Sequence, residues 1–328
     1  MIDGPQLWSY HRSKLGKSKR EVACLGTSRT VCGFATAEFY RRFPEYNLRL
    51  LAVSGLKPAA ALLDLARDPN FCGIVLCDVT WTDFRQANLE SQQEYVDYYQ
   101  NEYRAAAQLE TQISLWLRER LVILSPEARP KLILRSLLSG RAPPVSGFHI
   151  TKPDRSRISD YHLRPEHVRR KREAEAARYR KKAARRRTRP APVTAEWLSE
   201  VRSFREPVEQ IRARGGEVVF VRYPTSGERL AYTSLFYPRE LYWDQIGPQT
   251  TARTIYYADY PELDPGDLAD TSHLDKRQAP RFTNGLLDIL QQQGILPSSG
   301  SSEEPPHQPA PEYAAPRGRI ATSEMGRQ

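Results

Sequence analysis

The sequence predicts a three-layer α/β/α sandwich around a five-stranded parallel sheet, with a helical insertion between strands three and four. Short apolar runs alternate with helical patterns over residues 21–87, which is the spacing of a doubly wound parallel sheet. The runs end in small or polar residues, as buried parallel strands do. The alternation returns over residues 194–296. The 328 residues therefore suit one large α/β domain formed by these two parts.

The strands follow in order along the chain. The first covers residues 22–25 and leads into a helix that continues to about residue 43. Pro58 is suited to the first turn of the next helix, and Gly215 to the end of a later one. The remaining predicted elements are strands at 47–53, 71–78, 217–222 and 253–259, helices at 194–214 and 238–246, and a last helix ending near residue 293.

Three segments are predicted to lie outside the α/β domain. Residues 1–20 form a polar, basic lead-in. Residues 88–193 form the helical insertion, which begins with one long helix at 88–121 and contains a basic helix at 164–189. Residues 297–328 are rich in Ser, Pro, Glu and Gly, a composition typical of disorder.

The positive charge of the chain is concentrated in the basic helix. The net charge is +10, from 49 basic and 39 acidic residues. The segment from Arg164 to Arg189 holds 13 Lys or Arg against 3 Glu, so it accounts for all of this charge. We expect a solvent-exposed helix outside the core. It either makes non-specific contacts with polyanions or is simply a solvated surface.

The composition also bears on localisation and cofactors. No run of 18 apolar residues is present, and no apolar signal region follows Met1, which favours a cytoplasmic protein. The alternative is a periplasmic or membrane-anchored protein whose N-terminus is truncated. The cysteine spacings do not resemble a metal site, and no metal or cofactor is expected. Free thiols are predicted for Cys24, Cys32, Cys72 and Cys77.

A Gly-x-Ser motif, Gly26-Thr27-Ser28, follows the first predicted strand. This position puts the Ser28 hydroxyl at the carboxyl end of a strand, where open α/β sheets place their active sites. The backbone N–H groups at the start of the next helix lack intrahelical partners and can hold an anion. Taken alone, the motif fits an ordinary helix N-cap equally well.

An Asp-x-x-His motif, Asp270 to His273, precedes the last predicted helix. Together with the Gly-x-Ser-Arg block, it resembles a bacterial branch of the SGNH (GDSL-like) hydrolase superfamily. The resemblance implies the flavodoxin-like SGNH form of the sandwich. It also implies that Ser28 is the nucleophile, His273 the general base and Asp270 the carboxylate that orients the imidazole. A serine needs such a base because its hydroxyl is a weak nucleophile until an imidazole takes its proton.

The resemblance further implies an oxyanion hole formed by the backbone N–H groups of Ser28 and Gly55 and by an asparagine after the third strand. This sequence has Asp78 in place of that asparagine. Losing one such donor typically costs about 10²–10³ in rate, and an ionised carboxylate repels an oxyanion. Either a substitute donor is present, or Asp78 has another role, or activity is residual. The candidate substitutes are Thr80, Thr82 and Asn88.

Four further residues are predicted to bind substrate: Arg29, Asp78, Arg222 and Ser226. They lie at or just beyond the carboxyl ends of strands one, three and four, so the fold brings them to one edge of the sheet. Two guanidinium groups there suit a carboxylate, phosphate or sulfate on the substrate. The alternative is an ion pair of the arginines with Asp78 or Asp259. Either a wall of aromatic rings or core packing is expected for Tyr223, Tyr242 and Trp243.

These observations support two functional hypotheses. The first is an SGNH-like serine esterase or acyltransferase, and the resemblance suggests a small-molecule or carbohydrate ester, such as an acyl group on cell-envelope material, as substrate. The second is a non-catalytic SGNH-like protein that binds an anionic ligand or polymer in the same cleft with help from the basic helix. The serine, aspartate and histidine set favours the first hypothesis, and the missing asparagine favours the second.

Overall fold

The architecture comes from a computed structural model. It describes residues 3–120, 138–139, 149–186, 191 and 193–298. The predicted tail at 297–328 lies outside the described residues except for its first two positions, and residues 187–189 of the basic segment lie outside them as well.

A five-stranded, wholly parallel sheet forms the centre of the molecule, as the sequence predicts. The described residues form seven strands, of which β4 and β5 lie outside this sheet: β1 Glu21–Leu25, β2 Asn47–Leu50, β3 Ile74–Asp78, β4 His149–Thr151, β5 Arg157–Ser159, β6 Glu217–Arg222 and β7 Arg253–Tyr256. The large sheet has the order β2-β1-β3-β6-β7, and every neighbouring pair in it is parallel. At its centre Ala23 is in register with Val75, and Val75 with Val218. The carboxyl ends of all five strands therefore meet at one edge.

Helices cover both faces of this sheet. They are α1 Pro5–Arg12, α2 Ser28–Gly33, α3 Thr36–Arg42, α4 Ala59–Arg67, α5 Gln93–Asp97, α6 Ala105–Arg120, α7 Pro165–Arg185, α8 Ala195–Arg202, α9 Arg205–Ala213, α10 Gly227–Phe236, α11 Trp243–Thr250 and α12 Gln278–Gln292. Successive residues of a strand point to opposite faces. Accordingly, Ala23 belongs to one buried apolar cluster, with Leu65 of α4, and Cys24 to the other, with Phe39 of α3 and Leu286 of α12.

Several predicted helices are interrupted, because tertiary contacts override the local helical pattern. The helix predicted at 88–121 is wrong as a single element: α5, a π-helical turn and α6 replace it, and the break falls at the buried ring of Tyr103. The helix predicted after Ser28 divides into α2 and α3. At that break the N–H of Ala35 donates to Thr283 Oγ1 of α12 at 2.8 Å. The helix predicted at 194–214 likewise divides into α8 and α9.

The insertion contains β-structure, which the sequence analysis missed. β4 and β5 pair as an antiparallel hairpin in a region for which no element was predicted. Helix α10, which begins at Gly227 and is separated from the end of β6 by four residues, was missed as well.

Helix α7 is exposed on its outer face and packed on its inner face. Tyr179 of α7 packs against Tyr232 of α10 with ring centroids 5.3 Å apart. Arg172 donates to Asp267 Oδ1 at 2.9 Å. The helix is exposed as predicted, with Val168 as its buried residue, but the sequence analysis did not predict that its inner face lies against α10 and the loop that carries His273.

All four cysteines lie in the described ranges and are free thiols, as predicted, and Cys24 and Cys77 are deeply buried. Within those same ranges no helix has both the length and the apolar character needed to cross a bilayer.

Candidate functional site

The turn after β1 fixes the position of Ser28. Gly26 has a φ of +142°, and a Cβ atom there would lie 2.2 Å from Thr30 Oγ1 and 2.9 Å from Asp78 Cβ. A side chain is therefore excluded at Gly26. Thr27 then caps α2, because its Oγ1 accepts the N–H of Arg29 at 3.3 Å. Ser28 follows as the first residue of α2, at the carboxyl edge of the sheet.

The structure brings Ser28, His273 and Asp270 together. His273 Nε2 lies 2.7 Å from Ser28 Oγ, and His273 Nδ1 lies 2.8 Å from Asp270 Oδ2. The other oxygen of Asp270 accepts the N–H groups of Ser272 at 3.2 Å and His273 at 2.9 Å. The carboxylate thus shapes the turn on which the histidine sits and bonds its ring at the same time. The three side chains form one continuous hydrogen-bonded chain.

Two residues from the insertion also bond Asp270. Tyr161 donates to its Oδ2 at 3.1 Å, and Lys171 Nζ donates to the same oxygen at 2.8 Å. Burial alone would raise the pKa of Asp270, whose side chain is fully buried, but the hydrogen bonds and charges of His273 and Lys171 outweigh burial and hold the pKa well below its ordinary value. Asp270 is therefore an ionised carboxylate that accepts from five donors.

Sequence reasoning missed both of these residues. Lys171 is one of 13 basic residues in its segment, and nothing in the local pattern separates it from its neighbours. Tyr161 lies in a region with no predicted element. Only the docking of the insertion on the α/β domain selects them.

Asp78 and Arg29 lie at this edge bound to each other, which is the ion-pair alternative. Arg29 Nε donates to Asp78 Oδ2 at 3.0 Å, and Thr27 Oγ1 donates to the same oxygen at 3.2 Å. Both side chains of the ion pair are buried. Burial would lower the pKa of Arg29, but the negative charges of Asp78 and Asp83 outweigh it and raise the pKa. The carboxylate at the asparagine position therefore has its charge countered inside the protein.

Arg222 has no such counter-charge. Arg222 is only 7% exposed, and its Nη1 donates to the backbone oxygen of Tyr223 at 3.3 Å. No carboxylate of the described residues lies within ion-pair distance of its guanidinium group. Burial and the nearby charge of Arg29 lower its pKa. Asp259, the alternative partner, instead accepts from Arg239 at 2.8 Å.

Ser226 braces the histidine loop. Its Oγ accepts the N–H of Leu268 at 3.1 Å, and its own N–H donates to the backbone oxygen of Thr271 at 2.9 Å. Both groups thus bond the loop that leads to His273. The predicted contact of Ser226 with substrate stays a prediction.

The other predicted donors are distributed around the same edge. Gly55 is exposed, with a φ of +85°, in the turn after β2, and its oxyanion role stays a prediction. The amide of Asn88 donates to the backbone oxygen of Thr82 at 2.8 Å. The hydroxyls of Thr80 and Thr82 lie 2.8 Å apart. The amide of Asn88 therefore already donates to an acceptor within the protein, whereas the two threonines border the cavity described below.

The expected aromatic wall is part of the core. Tyr223 packs against Phe282, and Trp243 against Tyr256. Tyr242 is equally buried. The core-packing alternative describes all three.

A cavity of about 620 Å³ opens beside these residues. Arg29, Thr80 and Arg222 line it from the ends of β1, β3 and β6, and helices α7 and α10 close its other side. Its aromatic lining consists of rings that the sequence analysis did not single out: Trp81, Tyr179, Tyr232 and Tyr237.

No family model matches the chain, and no curated protein matches it. A solved structure titled "Crystal Structure of TesA" is similar to 83% of this chain and 98% of that one, with 11% sequence identity and a TM-score of 0.35.

Proposed function

We propose that the protein is an SGNH-type serine hydrolase or acyltransferase that acts on ester bonds. The observation that supports this most strongly is the hydrogen-bonded chain from Ser28 through His273 to Asp270. A serine hydroxyl bonded to an imidazole, whose other nitrogen is bonded to a buried carboxylate, is the arrangement that nucleophilic acyl transfer requires.

The reaction proceeds in two steps. Ser28 Oγ attacks the ester carbonyl carbon while His273 Nε2 takes the hydroxyl proton. The carbon–oxygen bond to the alcohol then breaks, and His273 gives its proton to the departing alcohol. Water or an acceptor alcohol next attacks the acyl-serine, with His273 again as the base, and Ser28 is released. The backbone N–H groups of Ser28 and Gly55 stabilise the oxyanion in each step.

Asp270 keeps the imidazole in the productive tautomer by accepting from Nδ1. Tyr161 and Lys171 act as positioning residues, because they hold the carboxylate that orients His273. The depressed pKa of Asp270 keeps this acceptor ionised across the neutral range. The insertion therefore contributes to the reaction without contacting the substrate carbonyl.

A fluorophosphonate probe tests the proposal, because it reacts covalently with an activated serine. We expect the purified protein to be labelled and Ser28→Ala to be unlabelled. Ser272→Ala is the matched control, because Ser272 Oγ lies 3.2 Å from His273 Nδ1 and Ser272 is thus a second serine in contact with the same imidazole. Labelling that persists in Ser28→Ala would contradict the assignment of the nucleophile.

A second candidate, a non-catalytic binding protein for an anionic ligand, is favoured by Asp78 at the asparagine position and by the uncompensated charge of Arg222. It predicts no labelling and no ester hydrolysis that depends on Ser28. The same experiment therefore separates the two candidates.

A further inference from the structure

The cavity that Arg29 and Arg222 line has a strongly basic lining. Seven Lys or Arg side chains border it, and no Asp or Glu does so among the described residues. Three of the seven are ion-paired with carboxylates that lie behind the lining: Arg29 with Asp78, Lys57 with Asp83 and Arg229 with Glu175.

The other four have no carboxylate within ion-pair distance in the part of the chain that the structure describes: Lys182, Arg185, Arg186 and Arg222. Arg186 donates to Tyr232 Oη at 3.0 Å and to the hydroxyl of Tyr237. These hydroxyls orient the guanidinium but leave its charge uncompensated. About four positive charges are therefore available to a bound anion.

Arg222 is the strongest indication of a ligand. A buried charge without an ion-pair partner is costly, and Arg222 is more than nine-tenths buried at the wall of the cavity. The charge of Asp78 acts on Arg222 only from beyond ion-pair distance, and Asp78 is already paired with Arg29. Thr225, in the same wall, has a buried hydroxyl with no hydrogen-bond partner among the described residues. An anion in the cavity would supply the counter-charge that Arg222 lacks.

We propose that this cavity binds the phosphate groups of a small phosphorylated ligand, with two or more negative charges on that ligand. Guanidinium groups present paired donors that match phosphate oxygens, and three of the four uncompensated cations are arginines. The volume of about 620 Å³ falls within the range of about 300–1,000 Å³ usual for small-ligand sites.

The cavity and the reacting serine share the same strand-end loops. Arg29 directly follows Ser28, and Thr225 directly precedes Ser226, which bonds the loop of His273. If the proposed function holds, the phosphorylated group belongs to the ester substrate. The binding site itself does not depend on that function.

Pyrophosphate titration, by calorimetry and thermal shift, tests the site in the full chain. Lys182→Gln should weaken pyrophosphate binding about tenfold, which is the effect of losing one charged hydrogen bond. Lys181→Gln is the matched control, because Lys181 is the adjacent lysine on α7 and does not line the cavity. Equal weakening by the two substitutions would overturn the proposal, since it would indicate a non-specific effect of the basic helix.

Arg222→Met gives a second and sharper readout. Removing an uncompensated buried charge should raise the Tm of the ligand-free protein, while the pyrophosphate-induced rise in Tm disappears. A purely structural arginine would instead give a lower Tm in both conditions, and that result would overturn the proposal. Tighter binding of single-stranded DNA than of pyrophosphate, with equal loss in the Lys181 and Lys182 variants, would assign the charge to a polymer instead.

A matched pair of esters tests the link to catalysis. Hydrolysis of 1-butyrylglycerol 3-phosphate gives butyrate and glycerol 3-phosphate, and hydrolysis of monobutyrin gives butyrate and glycerol. Lys182→Gln should raise KM for the phosphorylated ester alone, with kcat unchanged, and an equal effect on both esters would overturn this link.

Ser28→Ala separates this inference from the proposed function, because it should bind pyrophosphate as the wild type does. Binding without hydrolysis that depends on Ser28 would reject the proposed function only. Hydrolysis without pyrophosphate binding would reject the phosphate site only.

Discussion

Two buried carboxylates, Asp270 and Asp78, lie at the same edge of the sheet with different partners. Asp270 accepts from the ring of His273 and from the side chains of Tyr161 and Lys171. Asp78 accepts from Arg29 and a threonine hydroxyl. The first carboxylate bonds a residue that can exchange a proton, and the second bonds one that cannot. The comparison shows that both carboxylates are buried, and that the partner decides whether a carboxylate can serve in proton transfer.

The largest effect is expected from Asp270→Asn. The asparagine side chain can present its NH₂ donor to His273 Nδ1, which would favour the wrong tautomer of the imidazole. We therefore expect kcat to fall about 10⁴-fold with the fold intact. Steady-state ester hydrolysis, with circular dichroism as a check on folding, measures this. Asp267→Asn is the matched control, because Asp267 lies in the same loop but bonds Arg172. A normal kcat in the Asp270→Asn protein would contradict the role of Asp270 in orienting His273.

Asp78→Asn should act mainly on stability. It leaves Arg29 buried without its counter-charge, and breaking one side of a buried ion pair costs about 3–5 kcal/mol in the free energy of unfolding. Urea denaturation measures the loss. Asp259→Asn, in the exposed pair with Arg239, should cost no more than about 1 kcal/mol. The double variant Asp78→Asn with Arg29→Gln should be more stable than Asp78→Asn alone, because it removes both charges of the ion pair. If its loss in the free energy of unfolding equals the sum of the losses of the two single variants, the two residues are not energetically coupled.

A smaller effect is expected from Lys171→Met, and its signature is pH dependence. A carboxylate with a depressed pKa stabilises the fold above its unfolded value of 3.8, and this contribution is lost as pH falls through the folded pKa. Without Lys171 the pKa of Asp270 moves back toward its ordinary value. The variant should therefore be slightly less stable than the wild type at pH 7. On acidification, it should lose the stabilisation from Asp270 at a higher pH than the wild type does.

Thermal unfolding between pH 7 and pH 2 measures this effect. Because the Lys171 side chain is 44% exposed, we expect a loss at pH 7 of no more than about 1 kcal/mol. Lys181→Met serves as the control on the same helix. If Lys171→Met loses the same stability at every pH, Lys171 acts through packing and not through the charge of Asp270.

The sequence predicted the sheet well because its strands are short apolar runs that end in small or polar residues. It also selected Ser28, Asp270 and His273, since each occurs in a short motif next to a predicted element, and the structure brings these three side chains together. It did not decide which of Arg29 and Arg222 pairs with Asp78, because both follow strands at the same edge and only the packed structure separates them. Lys171 was hidden among similar residues, and the ring of Tyr103 broke a helix that its local pattern favoured.

Helix α7 connects the two ends of the site as one stiff element. Lys171 bonds Asp270 and Lys182 lines the cavity, and eleven residues of helix separate them by about 16 Å. If cavity occupancy changes how firmly α7 docks, the two events are thermodynamically linked, and such linkage is reciprocal. A ligand that stabilises the hydrogen bond between Lys171 and Asp270 must then bind more tightly to the protein in which that bond is already formed. The insertion would in that case make the orientation of His273 responsive to what the cavity contains.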